Sequence, residues 1–346
     1  MAVPLSRKIG NDILRIGWVG VRGYGRKLWD LVKDLDQLKI SLCFHPNAQV
    51  AEDAATIMKC RPCSSYDELI DSDKIDAAVL TVPNEFHFDY SQKALSKGKH
   101  VFVEKPLTNK YKEAKELKNL ADEKNLVLMV GHNYRKNGYV RAIKKSIDSG
   151  KIGKVVAGEF NMGHGGGLKF GPEKWRYHIE KCPGGPLNML GTHLIDAANF
   201  LFGEPMKVCG TVKTLCANTT SEDMSLIQLE YENGIVVNIT NLYNSVSTEF
   251  INIYGTNGAI RYSKWPKETL WFQPKDIDTV FSQYEPLEYN ELNPQRKIFR
   301  DFIKAVLDEN MALVNSSQAL KTVQVMEAAL ESQKKGCAIR INNSQA

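Results

Sequence analysis

Two short stretches of this chain carry residue types that do chemistry together. Glu104-Lys105-Pro106 closes the apolar run His100-Val101-Phe102-Val103. A charged pair at the end of a buried strand sits where an open α/β sheet places its ligand crevice. Pro106 disfavours helical angles at Lys105 and holds the lysine extended at the strand's mouth. Downstream come Gly191-Thr192-His193 and Asp196, with His193 and Asp196 three apart on a predicted helix and so on one face. Histidine is the usual proton carrier near neutral pH. With a Gly-rich turn upstream to cradle phosphates, Lys105 and His193 form a candidate catalytic pair of a nicotinamide-dependent oxidoreductase.

The cradle is Gly20-Val21-Arg22-Gly23-Tyr24-Gly25, between an apolar strand and a helical pattern. A dinucleotide fold needs a tight turn, close backbone approach to the pyrophosphate and free N–H groups at a helix N-terminus. Gly20 and Gly25 fill the outer positions of G-x-G-x-x-G, while Arg22 replaces the middle glycine with Gly23 beside it. At the end of the second strand, where a carboxylate would take the adenosine ribose, stands His45. Neither the acidic residue of an NAD site nor an arginine for a 2′-phosphate occupies that place, so the cofactor is NAD or NADP. His45 either touches the adenosine or faces water. Thr81-Val82-Pro83-Asn84-Glu85-Phe86-His87 opens on the same crevice. Thr81, Pro83, Asn84 and His87 are cofactor candidates, beside an alternative in which Asn84 simply caps a helix. Glu104 and Lys105 complete the cofactor side.

These residues need elements to position them. Residues 13–20, 38–44, 75–82, 99–103 and 126–130 read as strands; 26–35, 48–58, 66–70, 90–96 and 111–124 have helical spacing. Such alternation predicts βαβ units, a parallel sheet with helices on both faces. After Gly131 the pattern changes. Helices are expected at 140–148, 186–201, 294–308 and 317–334, and strands at 155–161, 208–215, 224–231, 235–242, 249–254, 259–262, 270–272 and 338–342. Glu232-Asn233-Gly234 and Gly255-Thr256-Asn257-Gly258 are hairpin signals. The fold class is therefore α/β: a doubly wound parallel sheet over 1–131, then a domain over 132–346 built on a large, mostly antiparallel open sheet.

Bulk properties narrow the function. The chain has 346 residues, enough for about two domains. A net charge of +5, from lysines scattered along helix faces, gives no nucleic-acid stripe. No apolar run approaches the ~18–20 residues of a membrane helix, and the N-terminal region shows no signal peptide. The seven cysteines, odd in number and widely spread, fit reduced thiols of a cytoplasmic protein. Cys60-Arg61-Pro62-Cys63 has no second pair for a zinc site, and no metal is expected.

At these motifs the chain resembles the glucose-fructose oxidoreductase / inositol dehydrogenase / MocA (Gfo/Idh/MocA) family of NAD(P)-dependent oxidoreductases. The resemblance runs over nearly the whole chain and is carried by residues 16–25, 81–87, 98–106 and 150–153, Trp175-Arg176, 184–196 and 254–258. It implies an N-terminal Rossmann domain, a cis Lys105–Pro106 bond, and a homo-dimer or homo-tetramer formed through the C-terminal sheet. It also implies that Lys105 bonds the reacting hydroxyl while His193 takes its proton. Inositol-dehydrogenase-like members place an aspartate four residues before the histidine; here Met189 stands there. A thioether cannot orient an imidazole or a sugar hydroxyl as a carboxylate does.

Other candidates lie on loops of the second domain. Asn133 is assigned to the cofactor; Trp175 and Arg176 to the cofactor, with Trp175 also facing substrate. Tyr134, Arg135, His164, Met189, Thr192 and Tyr243 are assigned to a small sugar-like substrate, and the glycines around His164 to a lid. Each also admits a packing or solvent-facing role. Three functions are ranked: a dehydrogenase of a secondary alcohol or ketone on a sugar, sugar derivative or polyol; a retained-NAD glycosidase or epimerase; and a dinucleotide-binding sensor without turnover.

Overall fold

The computed structural model describes residues 13–275, 283–291, 293–311 and 315–341. The chain divides into two compact units. One runs to His132 and also takes in Gln295–Leu320; the other holds Asn133–Pro294 and resumes at Lys321. Residues 295–320, assigned from sequence to the second domain, thus cluster with the first.

The first unit is built on a six-stranded sheet of order β3-β2-β1-β4-β5-β6. Its strands are β1 (Leu14–Val19), β2 (Leu38–Phe44), β3 (Arg61–Cys63), β4 (Ala77–Leu80), β5 (His100–Val103) and β6 (Leu128–Val130). Every neighbouring pair is parallel. β2 and β4 lie on opposite sides of β1, so the strand order reverses there, which makes the carboxyl ends of β1 and β4 a topological switch point. Helices α1 (Tyr24–Val32), α2 (Ala48–Met58), α3 (Tyr66–Asp71), α4 (His87–Ser96) and α5 (Tyr111–Glu123) connect them. β4 is buried at all four residues, as a strand covered on both faces must be.

The second unit carries a nine-stranded sheet of order β14-β13-β12-β11-β7-β10-β9-β8-β15. Its strands are β7 (Val155–Gly163), β8 (Pro205–Lys213), β9 (Met224–Tyr231), β10 (Val236–Leu242), β11 (Thr248–Gly255), β12 (Gly258–Ser263), β13 (Thr269–Pro274), β14 (Glu285–Pro286) and β15 (Ile339–Arg340). All neighbours are antiparallel except β7 and β10. In β9, Ser225, Ile227, Leu229 and Tyr231 are buried while Leu226 and Gln228 are exposed, so one face is covered and one open. Helices α6 (Gly138–Asp148) and α7 (Thr192–Phe202) belong to this unit. The helix expected over 186–201 is divided: Leu187–Gly191 forms a π-helical turn before α7 begins. The glycine-rich stretch is a defined 3₁₀ turn, Gly165–Lys169, rather than an irregular loop. β14 escaped the sequence reading because it is two exposed residues without periodicity. Position 342, the expected end of the last strand, lies outside the described residues.

Two long helices, α8 (Pro294–Leu307) and α9 (Ser316–Lys335), follow. Ile298, Phe299, Phe302, Ile303 and Val306 make one stripe on α8 and join Leu14, Ile16, Trp18 and Phe102 in a single core. Phe299 lies 6.0 Å from Trp18 and 5.1 Å from Phe102, ring to ring. Each such buried side chain contributes about 1.5–3 kcal/mol. This explains why α8 belongs with the first sheet although it is distant in sequence.

Candidate active site

The cradle is shaped by what its glycines exclude. Gly20 has φ +88°, and a Cβ there would sit 2.4 Å from the Thr81 carbonyl oxygen. At Gly25 a Cβ would lie 1.8 Å from the Gly20 oxygen and 2.4 Å from Thr81 Oγ1. Thr81 Oγ1 itself lies 2.9 Å from the Val19 oxygen and 2.7 Å from that of Gly20, tying the two loops together. The absent middle glycine is replaced by Gly23, which takes φ +54° with open space around it. Val21 is buried, and Arg22 and Tyr24 are exposed. No side chain caps α1 and no acidic residue stands in its first turn. A dinucleotide's pyrophosphate therefore fits here, held by backbone N–H groups at the start of α1.

The loops after β4 and β5 are locked by His87. Its Nδ1 is 2.7 Å from the Pro106 carbonyl oxygen and its Nε2 is 3.0 Å from that of Val82. The ring is fully buried, and burial draws its pKa below the ordinary histidine value. His87 is therefore not a cofactor contact as its position suggested. It positions the turn that carries Lys105. The Lys105–Pro106 bond is cis, as the resemblance implies. Pro83 precedes a 3₁₀ turn, Asn84–Phe86, and Asn84 is buried within that turn instead of capping a helix.

Glu104 packs against Gly131, where a Cβ would come within 2.7 Å of Glu104 Oε1. Its Oε2 accepts the Lys105 backbone N–H at 3.3 Å. Burial raises its pKa to about 7, against the opposing pull of the Lys105 charge and a bond from Tyr24. At the end of β2, His45 Nδ1 accepts the Asn47 N–H at 3.1 Å, and Asn47 caps α2 through Val50 N–H at 3.1 Å.

In the second unit, several expected substrate groups already have protein partners. Asn133 is buried and leads into the 3₁₀ turn Tyr134–Lys136. Tyr134 donates its hydroxyl to Glu249 Oε1 at 2.6 Å, so it is a positioning group rather than a free hydroxyl. Its ring stands 5.6 Å from the His193 ring. Arg135 donates Nε–H to Asp196 Oδ2 at 2.8 Å and a second bond to Oδ1. Arg135 is thus not presented to substrate, and Asp196 braces α7 through Arg135.

His164, Arg176 and Tyr243 gather. His164 Nδ1 accepts the Gly166 N–H at 2.9 Å, and its ring lies 5.1 Å from that of Tyr243. A Cβ on Gly167 would come within 2.4 Å of Tyr243 Cβ, so the turn rests on that tyrosine. Burial first and the Arg176 charge second draw the His164 pKa down. Arg176 lies over the Trp175 ring at 4.6 Å. Tyr243 is buried, which suits packing better than substrate contact. Thr192 is fully buried, and its hydroxyl has no hydrogen-bond partner among the described residues. Met189 lies in the π-helical turn and His193 on the first turn of α7, neither of them fully buried.

Glu249 was missed from sequence. It also accepts from Tyr139 at 3.0 Å and pairs with Lys264 at 3.0 Å. The available signal was its phase: Glu249, Ile251 and Ile253 alternate on the covered face of β11, so a carboxylate stands in an apolar register.

A parallel doubly wound sheet with a glycine cradle at its switch point defines a dinucleotide-binding protein. Comparisons with known proteins agree. The family described as "Oxidoreductase family, NAD-binding Rossmann fold" matches residues 14–132, and "GFO/IDH/MocA C-terminal domain" matches residues 140–261. An uncharacterised oxidoreductase of Schizosaccharomyces pombe is 31% identical over 84% of this chain and 90% of its own. The scyllo-inositol 2-dehydrogenase (NADP⁺) of Bacillus subtilis is 24% identical over 94% and 96%. A solved structure of levoglucosan dehydrogenase in complex with NADH and L-sorbose has a TM-score of 0.87 at 21% identity, covering 96% of this chain and 100% of that one. The chain belongs to the Gfo/Idh/MocA family and is an NAD(P)-dependent oxidoreductase. No helix among the described residues is long and apolar enough to cross a membrane.

Proposed function

We propose that this oxidoreductase interconverts a secondary alcohol and its ketone on a sugar or sugar-like polyol, with Lys105 and His193 as its catalytic groups. One observation carries most of this. Thr81 ties the cradle to the loop after β4, and His87 ties that loop to Pro106, so Lys105 is held at the carboxyl edge of the sheet that binds the cofactor. When bound, the nicotinamide ring supplies the hydride acceptor or donor. The Lys105 ammonium donates a hydrogen bond to the reacting oxygen and favours charge developing there. His193 Nε2 or Nδ1 accepts the hydroxyl proton in oxidation and returns it in reduction. Gly20, Gly23, Gly25 and the start of α1 would hold the pyrophosphate.

The substrate class is supported by the relatives, whose names include an inositol dehydrogenase and a levoglucosan dehydrogenase. Met189 counts against oxidation of the inositol type, because inositol-dehydrogenase-like members place an aspartate at that position and a thioether accepts hydrogen bonds only weakly. We also assign a homo-dimer or homo-tetramer to the open face of the nine-stranded sheet. There Leu226, Val236, Leu242, Phe250 and Trp271 all remain at least partly exposed. A cytoplasmic location is supported by seven free cysteines.

Replacing Lys105 with Ala should lower kcat/KM by about 10²–10⁴-fold. Dinucleotide affinity, measured by calorimetry, should change far less. Normal turnover by Lys105→Ala would overturn the catalytic assignment.

A further inference from the structure

The cofactor's adenosine end can be read more finely than "NAD or NADP". Gly20 N–H bonds the Phe44 carbonyl at 3.4 Å, which lays the glycine loop alongside the residues after β2. The turns that carry Arg22 and His45 therefore lie side by side, although twenty-three positions separate the two residues in sequence. Burial first, and the Arg22 charge in the same direction, draw the His45 pKa below the ordinary histidine value. Arg22 is exposed and forms no ion pair among the described residues. The next arginine, Arg26, is engaged by Asp30 at 3.1 Å.

The tautomer of His45 is also set. Its Nδ1 accepts the Asn47 N–H, so in the neutral ring the proton resides on Nε2, which is left as a donor. No acidic residue stands in the first turn of α2. The local chemistry is thus one guanidinium and one imidazole N–H, with no carboxylate in the first turn of α1 or of α2 to accept the ribose hydroxyls of NAD. A phosphate monoester suits such a pair: guanidinium forms bidentate bonds to it, and the imidazole adds a third donor.

We propose that Arg22 and His45 form a 2′-phosphate subsite, so that the protein takes NADP(H) in preference to NAD(H). The assignment rests on the dinucleotide-domain reading and adds the cofactor's identity to it. An arginine from the glycine loop supplies the charge that the end of β2 lacks.

The test is calorimetric titration of the full-length protein with NADPH, NADH, adenosine 2′,5′-bisphosphate and 5′-AMP. NADPH should bind about tenfold to a hundredfold more tightly than NADH, and the bisphosphate more tightly than AMP. Arg22→Ala should remove most of that preference while leaving NADH affinity within about threefold. His45→Asp, which restores a carboxylate, should shift preference towards NADH. Circular dichroism checks that each variant is folded. Equal or tighter binding of NADH by the natural protein overturns the proposal and leaves the oxidoreductase assignment standing. Equal weakening of both cofactors in Arg22→Ala overturns it too, because Arg22 would then serve the pyrophosphate. Failure to bind either dinucleotide overturns the proposal together with the reading beneath it.

Discussion

Arg135 grips Asp196 with two hydrogen bonds in a site where the carboxylate is wholly buried and the guanidinium nearly so. The pair joins the turn after Asn133 to α7, three residues beyond His193. Burial alone would weaken the guanidinium, but the Asp196 charge and its hydrogen bonds together more than offset this and raise the Arg135 pKa. Removing one partner leaves the other charged and buried. Arg135→Ala is therefore expected to destabilise the protein by about 3–5 kcal/mol, and Arg135→Leu with Asp196→Leu by much less. Chemical denaturation of the two variants measures this. A single variant as stable as the natural protein would show that the pair does not brace α7.

Glu104 makes stability depend on pH. Its folded pKa of about 7 stands above the ordinary value of 4.5. Between these values the folded chain keeps a proton that the unfolded chain has released. Stability from this group is thus greatest below pH 4.5 and falls as pH rises to about 7. Glu104→Gln should remove that contribution. The difference in melting temperature between the two proteins, followed across this range, is expected to drift with pH; a flat difference would refute the shifted carboxyl.

Tyr134→Phe deletes one of three bonds to Glu249, leaving Tyr139 and Lys264 in place. A stability loss of about 1 kcal/mol is expected. Because the bond to Glu249 anchors the ring that flanks His193, kcat should fall while the dinucleotide Kd is preserved. Steady-state kinetics beside calorimetry separates the two; unchanged kcat would mean that the Glu249 bond does not position the ring for catalysis.

Much of this was legible in the sequence, for identifiable reasons. Ala77-Ala78-Val79-Leu80 could only be a strand covered on both faces. The cofactor cradle and the Lys105 turn announce themselves through glycine and proline, whose backbone limits are local. What stayed hidden is partnership. The stripe on α8 shows that a face is buried but not that Trp18 and Phe102 lie beneath it. His87, Arg135 and Tyr134 looked like site residues because of where they fall in the chain; only the structure shows their polar atoms engaged by Pro106, Asp196 and Glu249. In sequence Arg22 stands out only as the residue in the middle glycine's place; that its turn lies alongside the one carrying His45 follows from the pairing of β1 with β2.

The two small residues that frame the cradle should behave oppositely when enlarged. Gly23 has φ +54° but nothing within 4 Å of its would-be Cβ. Ala there meets backbone strain and no clash, because φ +54° with ψ −117° lies outside the left-handed well and suits glycine; the cost is about 1–3 kcal/mol. Gly25 needs no unusual backbone, yet its Cβ would overlap the Gly20 oxygen at 1.8 Å and Thr81 Oγ1 at 2.4 Å. The obstacle is backbone, so the loop itself must move, and with it the N–H groups that face the pyrophosphate. Gly25→Ala is expected to abolish dinucleotide binding in calorimetry, whereas Gly23→Ala should bind within about tenfold of the natural protein. If Gly25→Ala bound cofactor normally, the close approach of β1 to α1 would not be what shapes the cradle.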